Sequence, residues 1–334
     1  MDPDAVADVE RVPHGGASDT TLLDFSANTN PERPRGIVGV YESAYGAATQ
    51  YPGDDYCEFR TAAGEYLGCE PLNVVPTAGG IEALRLAFEV TLDSGDDALL
   101  PKPSFGEYDR EVRLQGADPT FVDHDRVLET DPSPYGVVVV CNPNNPTGDG
   151  YPRADLVAYA QQCRGADTAL VVDEAFLDFT DRRTLAGEAG VIVARSLTKI
   201  FGLPGLRTGL AVATGGLRDR LEAARPVWGL STPAADVGAY CLRRTKFVAE
   251  TRDRVRRERR RMVDRLDAAY EVYPSEAPFL LLGVHDRPVE AVIDDARREG
   301  IVIRDATTFR GLDSHVRVAV RRPEENDRLL DALL

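Results

Sequence analysis

The chain has 334 residues, with 39 Lys and Arg against 55 Asp and Glu, a formal net charge of −16 at pH 7. That acidity repels phosphate backbones and argues against a nucleic-acid partner, and no run reaches the roughly 18 apolar residues of a membrane span. The length permits a large core and more than one domain.

The first thirty residues carry little regular pattern and are expected to form a segment, 1–30, that wraps onto another part of the molecule. Its start, "MDPDAVADVERV", lacks the apolar core of a signal peptide, so a cytoplasmic protein is expected. A large α/β domain is expected over 31–230. "PTAGGIEALRLAF" reads as a strand end, a glycine turn and a helix, and free N–H groups at such a helix start bind anions. It lacks the G-K-[ST] of a nucleotide-binding loop. "ALLPKPS", "YGVVVVCNPNNPTG", "DTALVVDEAF", "GVIVARSLTK" and "GLAVAT" are apolar runs ending in polar residues. Helical stretches such as "YPRADLVAYAQQCRG" separate them. Buried strands alternating with helices indicate a mostly parallel sheet. Ligands bind such sheets beyond the carboxyl ends of the strands, where Asn145, Asp173, Ser196 and Lys199 fall.

After Ser231 the pattern changes. "RDRVRRERRRMVDR" places Val248, Val255, Met262 and Leu266 at helical spacing and reads as an amphipathic helix with a solvated arginine face. "FLLLGV", "VEAVIDDARREG", "IVIRDA" and "VRVAV" then read as strand, helix, strand, strand. A smaller α+β domain over 231–334 is expected. Cys57, Cys69, Cys141, Cys163 and Cys241 include no C-x-x-C pair and do not fall at ligand spacing with the four histidines. They read as reduced thiols, and no metal site is expected. Abundant carboxylates, arginine in place of lysine, and apolar positions filled by Ala and Val suggest a halophilic, high-salt cytoplasm.

The chain has only three lysines, Lys102, Lys199 and Lys246. Lysine loses its proton when desolvated or placed beside another cation, and arginine does not. Lys199, between hydroxyl residues and a glycine-rich turn, is therefore a candidate Schiff-base nitrogen. Asp173 at a strand end reads either as a local cap or as the carboxylate that keeps a pyridine nitrogen protonated. "NPNNPTG" is rigid turn chemistry that fixes Asn145.

In chain order these are a glycine turn, N-P-N-N-P-T-G, V-D-E-A-F, and S-L-T-K followed by G-L-P-G-L-R-T-G. The set resembles the fold type I pyridoxal-phosphate enzymes, class I/II aminotransferase branch, over essentially the whole chain. The resemblance implies pyridoxal 5'-phosphate as cofactor, carried by Lys199. It implies Asp173 on the pyridine nitrogen and Asn145 on the phenolic oxygen. Ser196, Arg207 and the backbone of Ala78 and Gly79 would hold the cofactor phosphate, and Phe105 would stack on the ring. Tyr51 resembles a tyrosine that reaches the neighbouring subunit's cofactor, which implies a homodimer with shared active sites. Phe176 stands where the family often has tyrosine.

Two subfamilies handling phosphorylated amines compete. "PHGG", "LDFSANTNP" and the C-terminal "RVAVR" resemble the threonine-phosphate decarboxylases of cobalamin side-chain synthesis; histidinol-phosphate aminotransferases usually lack the H-G-G. The resemblance implies a phosphorylated amino acid substrate bound by His14, Gly15, Asn28, Asn145, Arg304 and Arg317. The expected division gives Arg317 the carboxylate and gives Arg304, with His14 and Asn28, the phosphate. A non-catalytic aminotransferase-like regulator would need a DNA-binding segment before Asp24, and none is read there.

Overall fold

Runs of buried β-branched residues build the central sheet. The computed structural model describes residues 1–334. The first half of the chain forms α1 (Pro3–Asp8), β1 (Leu23–Asp24), α2 (Ile37–Ala47), α3 (Cys57–Leu67), β2 (Val74–Thr77), α4 (Gly80–Glu89), β3 (Asp97–Lys102), α5 (Glu107–Leu114), β4 (Asp118–Asp123), β5 (Val137–Cys141) and α6 (Arg153–Gly165). It continues through β6 (Ala169–Asp173), β7 (Val191–Ser196), α7 (Leu197–Ile200), β8 (Gly209–Val212), α8 (Gly215–Ala224), α9 (Thr232–Leu242) and α10 (Thr245–Leu266). The C-terminal part is β9 (Glu271–Val272), β10 (Phe279–Gly283), α11 (Val289–Arg298), β11 (Ile301–Val302), β12 (Arg304–Asp305), β13 (His315–Ala319) and α12 (Pro323–Leu333).

β5 reads Val-Val-Val-Val-Cys and is buried throughout, as a strand covered on both faces must be. Its alternation still sorts side chains: Val138 and Val140 enter one core, and Val137 and Val139 the other. Seven strands lie in the order β2-β8-β7-β6-β5-β3-β4. β7, β6, β5, β3 and β4 pair in parallel, while β8 is antiparallel to β2 and β7. Because β5, β6 and β7 run the same way, their carboxyl ends bring the Asn142–Asn145 loop, Asp173 and Ser196 to one edge.

The smaller body is an antiparallel sheet of order β12-β13-β10-β9. Three features differ from the sequence expectations. "IVIRDA" is not one strand. β11 pairs with β1 in parallel and β12 pairs with β13 antiparallel, so two different partners split it at Ile303. The N-terminal segment is thereby stitched onto the smaller body. α9, which follows Ser231, packs against α2 and α3, so the chain beyond Ser231 still contacts the large body.

The third difference is the arginine face of α10. Val248, Val255, Met262 and Leu266 are buried as their spacing demands. Several arginines, however, are spent on acceptors. Arg254 donates to Asn30 Oδ1 at 2.6 Å and to the Arg321 carbonyl at 3.0 Å. Arg259 donates to the carbonyls of Glu276 and Ala277 at 2.9 Å each. Arg252 donates to Asp181 Oδ1 at 3.1 Å. Carbonyl acceptors leave no trace in a hydropathy pattern. No helix is long and apolar enough to cross a membrane.

Candidate active site

A cavity of about 300 Å³ opens at the carboxyl edge of the sheet, between the two bodies and the N-terminal segment. At one end α4 begins. Gly79 precedes it at φ 96, and a Cβ there would meet the Arg207 guanidinium at 2.6 Å, so only glycine fits. The N–H groups of Ala78 and Gly79, expected for the phosphate, are already used: Ala78 donates to Glu82, and Gly79 to the Thr77 carbonyl at 2.8 Å. The N–H groups of Gly80 and Ile81 have no protein acceptor, and both residues line the cavity. Ser196 adjoins Gly80, its Cβ 3.2 Å from where a Gly80 Cβ would sit. Two free N–H groups, a hydroxyl and a guanidinium thus meet at a helix N-terminus, where an anion is favoured.

At the centre Asp173 ends β6, 7% exposed. Tyr108 Oη donates to its Oδ2 at 2.6 Å and the Ala175 N–H to its Oδ1 at 2.9 Å. Burial nevertheless holds its pKa above the usual carboxylate value, against those bonds and the charges of Lys199 and Arg195. Such a carboxylate favours a cation placed against it. Lys199 follows on α7. Burial first, then Arg317 and Arg207, push its amine down to about 8, opposed by Asp173. Phe105 lines the same wall, its ring edge-on to Tyr108 with centroids 5.7 Å apart.

At the far side Arg317, on β13, is 5% exposed and has no carboxylate partner. It donates to Asn145 Oδ1 and, at 3.0 Å, to the Ser26 carbonyl, and lies over the Phe279 and Phe309 rings. Asn28 Oδ1 and Arg317 Nε are buried without partners, which is costly unless a ligand completes them. Arg304 donates to the Pro13 carbonyl and to Thr308 Oγ1, both at 2.8 Å. His14 Nε2 lies 2.8 Å from Glu107 Oε1. A Cβ on Gly15 would meet the Ser26 carbonyl at 2.3 Å, so glycine allows the segment to lie this close. Four unpaired cations, Lys199, Arg207, Arg304 and Arg317, therefore share one cavity with Asp173 in a chain of net charge −16.

The cavity lining includes His14, Gly15, Asn28, Phe105, Asn145, Asp173, Ser196, Lys199, Arg207, Arg304 and Arg317. Ala78 and Gly79 stand just behind it. Tyr51 is elsewhere: it is 77% exposed and stacks on Trp228 at 4.2 Å. Tyr108 and Glu107 were missed by the sequence reading. Tyr108 follows Phe105 by three residues at a helix start, a spacing that places both on one side. That spacing was the available signal.

Residues 20–333 match the model of the family described as aminotransferase class I and II. The chain belongs to the class I and II aminotransferase family. It is 32% identical over 329 residues to histidinol-phosphate aminotransferase 2 of Archaeoglobus fulgidus, covering 94% of this chain and 93% of that one. It is similar to the crystal structure of L-threonine-O-3-phosphate decarboxylase from Porphyromonas gingivalis, at 25% identity and TM-score 0.84, covering 93% and 98% of the two chains. It also shares the fold of histidinol-phosphate aminotransferase from Sinorhizobium meliloti in complex with pyridoxal-5'-phosphate, at 22% identity and TM-score 0.83, covering 92% and 88%.

The fold is that of the fold type I enzymes of this class, and the cofactor is pyridoxal 5'-phosphate. The cavity suits this class's cofactor. It offers an anion cup at α4, a buried carboxylate for a protonated ring nitrogen, an aromatic wall, and an amine with a lowered pKa. The orphaned Asn28 Oδ1 and unpaired Arg317 remain for a second ligand.

Proposed function

We propose that the protein decarboxylates L-threonine O-3-phosphate to (R)-1-amino-2-propanol O-2-phosphate, the side-chain precursor of cobalamin. The observation that carries this reading is the position of His14 and Gly15. Both form part of the cavity wall, and Arg304 is tied to the adjoining Pro13 carbonyl. Two basic groups thus stand at the mouth, apart from the cup at α4, as a substrate with its own phosphate requires.

The bound cofactor supplies an electron sink for breaking one bond at the substrate's Cα. In this reading Asp173 holds the proton on the ring nitrogen, and its own orientation is fixed by Tyr108 Oη and the Ala175 N–H. Arg317 takes the substrate carboxylate, its planar fork suited to two oxygens. Arg304, His14 and Asn28 take the phosphate. Lys199 Nζ, with its pKa lowered to about 8, is held ready to carry a proton and to return it to Cα as the ammonium. Which bond breaks is a rotation about one Cα bond, set by where the mouth holds the phosphate relative to Arg317.

A second reading, histidinol-phosphate aminotransferase, is favoured by the similarity to the Archaeoglobus enzyme. Product analysis separates them. With threonine phosphate, CO₂ and aminopropanol phosphate are expected. Conversion of histidinol phosphate with 2-oxoglutarate, without CO₂ from threonine phosphate, would replace the first reading with the second. In either case His14→Ala and Arg304→Ala should each lower kcat/KM by roughly ten- to hundred-fold, the cost of one charge-assisted hydrogen bond. The cofactor spectrum should not change. Wild-type rates in both variants would remove them from substrate binding.

The exposed Tyr51–Trp228 stack, with Val38, Tyr41 and Tyr45 exposed along α2, supports a homodimer in which Tyr51 completes the partner subunit's site. Mixing inactive Lys199→Ala chains with an impaired Tyr51→Phe variant should restore partial activity once subunits exchange. Exchange without recovery would count against a shared site.

A further inference from the structure

His14 is held by a residue that does not itself line the cavity. Glu107, the first residue of α5, has a side chain 8% exposed, against 48% for His14. Gly106 beside it lies so close to Val12 that a Cβ would meet Val12 Cγ1 at 2.7 Å. The N-terminal segment therefore crosses α5 at this point. Behind Glu107 the charges alternate. Arg110 Nη1 is 3.5 Å from Glu107 Oε2 and 3.1 Å from Glu111 Oε1. Glu111 is fully buried and receives Arg85, of α4, at 2.8 and 2.7 Å. The His14 ring sits 5.7 Å from the Phe105 ring, and its Nδ1 has no protein partner.

We propose that Glu107 is a positioning residue that holds the His14 ring in one orientation, so that the mouth of the site selects a phosphate ester. The proposal rests on the reading of the cavity as a site for a phosphorylated amine. Glu107 takes His14 Nε2 and is itself held by Arg110, while Arg304 of β12 is tied to the adjoining Pro13 carbonyl. Burial would raise the Glu107 pKa, yet the His14 hydrogen bond, the His14 charge and Arg110 hold it below the usual value. Glu107 is therefore the ionised member. A carboxylate accepting from Nε2–H fixes the ring and so sets where its other nitrogen meets a bound ligand.

The test uses the full-length protein loaded with pyridoxal phosphate, its four histidines labelled at Cε1 for NMR, with His14→Asn to assign the His14 signal. Glu107→Gln keeps an acceptor but removes the charge, and should move the His14 signal. Glu107→Asp, which keeps the charge, should retain most of the wild-type response to phosphate. Inorganic phosphate at pH 7 should shift the His14 signal, with a roughly ten-fold weaker Kd in Glu107→Gln.

In kinetics, Glu107→Gln should raise KM for the phosphorylated substrate with little change in kcat, and Glu107→Asp should recover most of that loss. Equal phosphate affinity in wild type and Glu107→Gln overturns the proposal, as does an unchanged KM. Because the NMR measurements need no turnover, failure to react with either phosphorylated substrate would refute the functional reading while leaving the Glu107–His14 coupling standing or falling on its own result.

Discussion

Lys199→Ala is expected to abolish turnover. In the proposed reading the residue contributes both the covalent hold on the cofactor and a proton at Cα, and the proton transfer alone is worth on the order of 10²–10⁴-fold. Borohydride should fix the cofactor to Lys199 in wild type and label nothing in the variant; a variant that keeps the visible band of a covalently held cofactor would refute the assignment. The pH dependence follows from the environment. Burial, then Arg317 and Arg207, lower the amine to about 8 against the pull of Asp173. The free base therefore grows as pH rises through 8 and not near the usual 10.5, and the rate of cofactor uptake by the apo protein should rise over the same interval. Removing either cation should move that rise to higher pH. Stopped-flow uptake across pH 6–10 measures it.

The second large effect is Asp173→Asn. The amide oxygen can keep the Ala175 N–H while its NH2 donates to Tyr108 Oη, which can also accept, but the charge that the proposed reading sets against the ring proton is gone. Breaking a buried ion pair by deleting one partner costs about 3–5 kcal/mol, so kcat should fall by roughly a hundred- to several thousand-fold. Stability should move the other way. In the apo protein, burial raises the Asp173 pKa, so its charged form is disfavoured by the fold, and the neutral amide relieves that cost. The apo variant should melt at or above the wild-type temperature while losing activity. A variant with full activity, or one much less stable than wild type, would contradict this account. Tyr108→Phe, which leaves the carboxylate in place, should cost about ten-fold.

The central strands were legible because burial on both faces forces unbroken β-branched runs, and the polar residues that end them are the ones the parallel sheet gathers. What escaped depends on contacts between distant segments. Nothing local in "IVIRDA" announces that β11 will pair with β1 and β12 with β13. Nothing in the arginine run of α10 announces carbonyls at residues 276, 277 and 321. Within the cavity, Lys199 and Asp173 stood out because their chemistry is unusual where they sit. Glu107 and Tyr108 look like ordinary helix residues, and they acquire meaning only through His14, 93 residues away, and Asp173, 65 residues away.

The N-terminal segment also acts as a ruler. Its near end is pinned to the large body, where the Asp2 N–H donates to the Leu114 carbonyl. Its far end is pinned to the small body, where Leu23 pairs with Ile301. His14 is strung between two fixed posts, so its place at the mouth is set by the number of residues on either side. Deleting one residue between Val9 and Val12 should drag His14 off Glu107, and inserting one should let it sag outward. Both changes should raise KM for a phosphorylated substrate, while cofactor binding, which depends on none of these residues, should keep its wild-type Kd. An unchanged KM would show that the tether has slack.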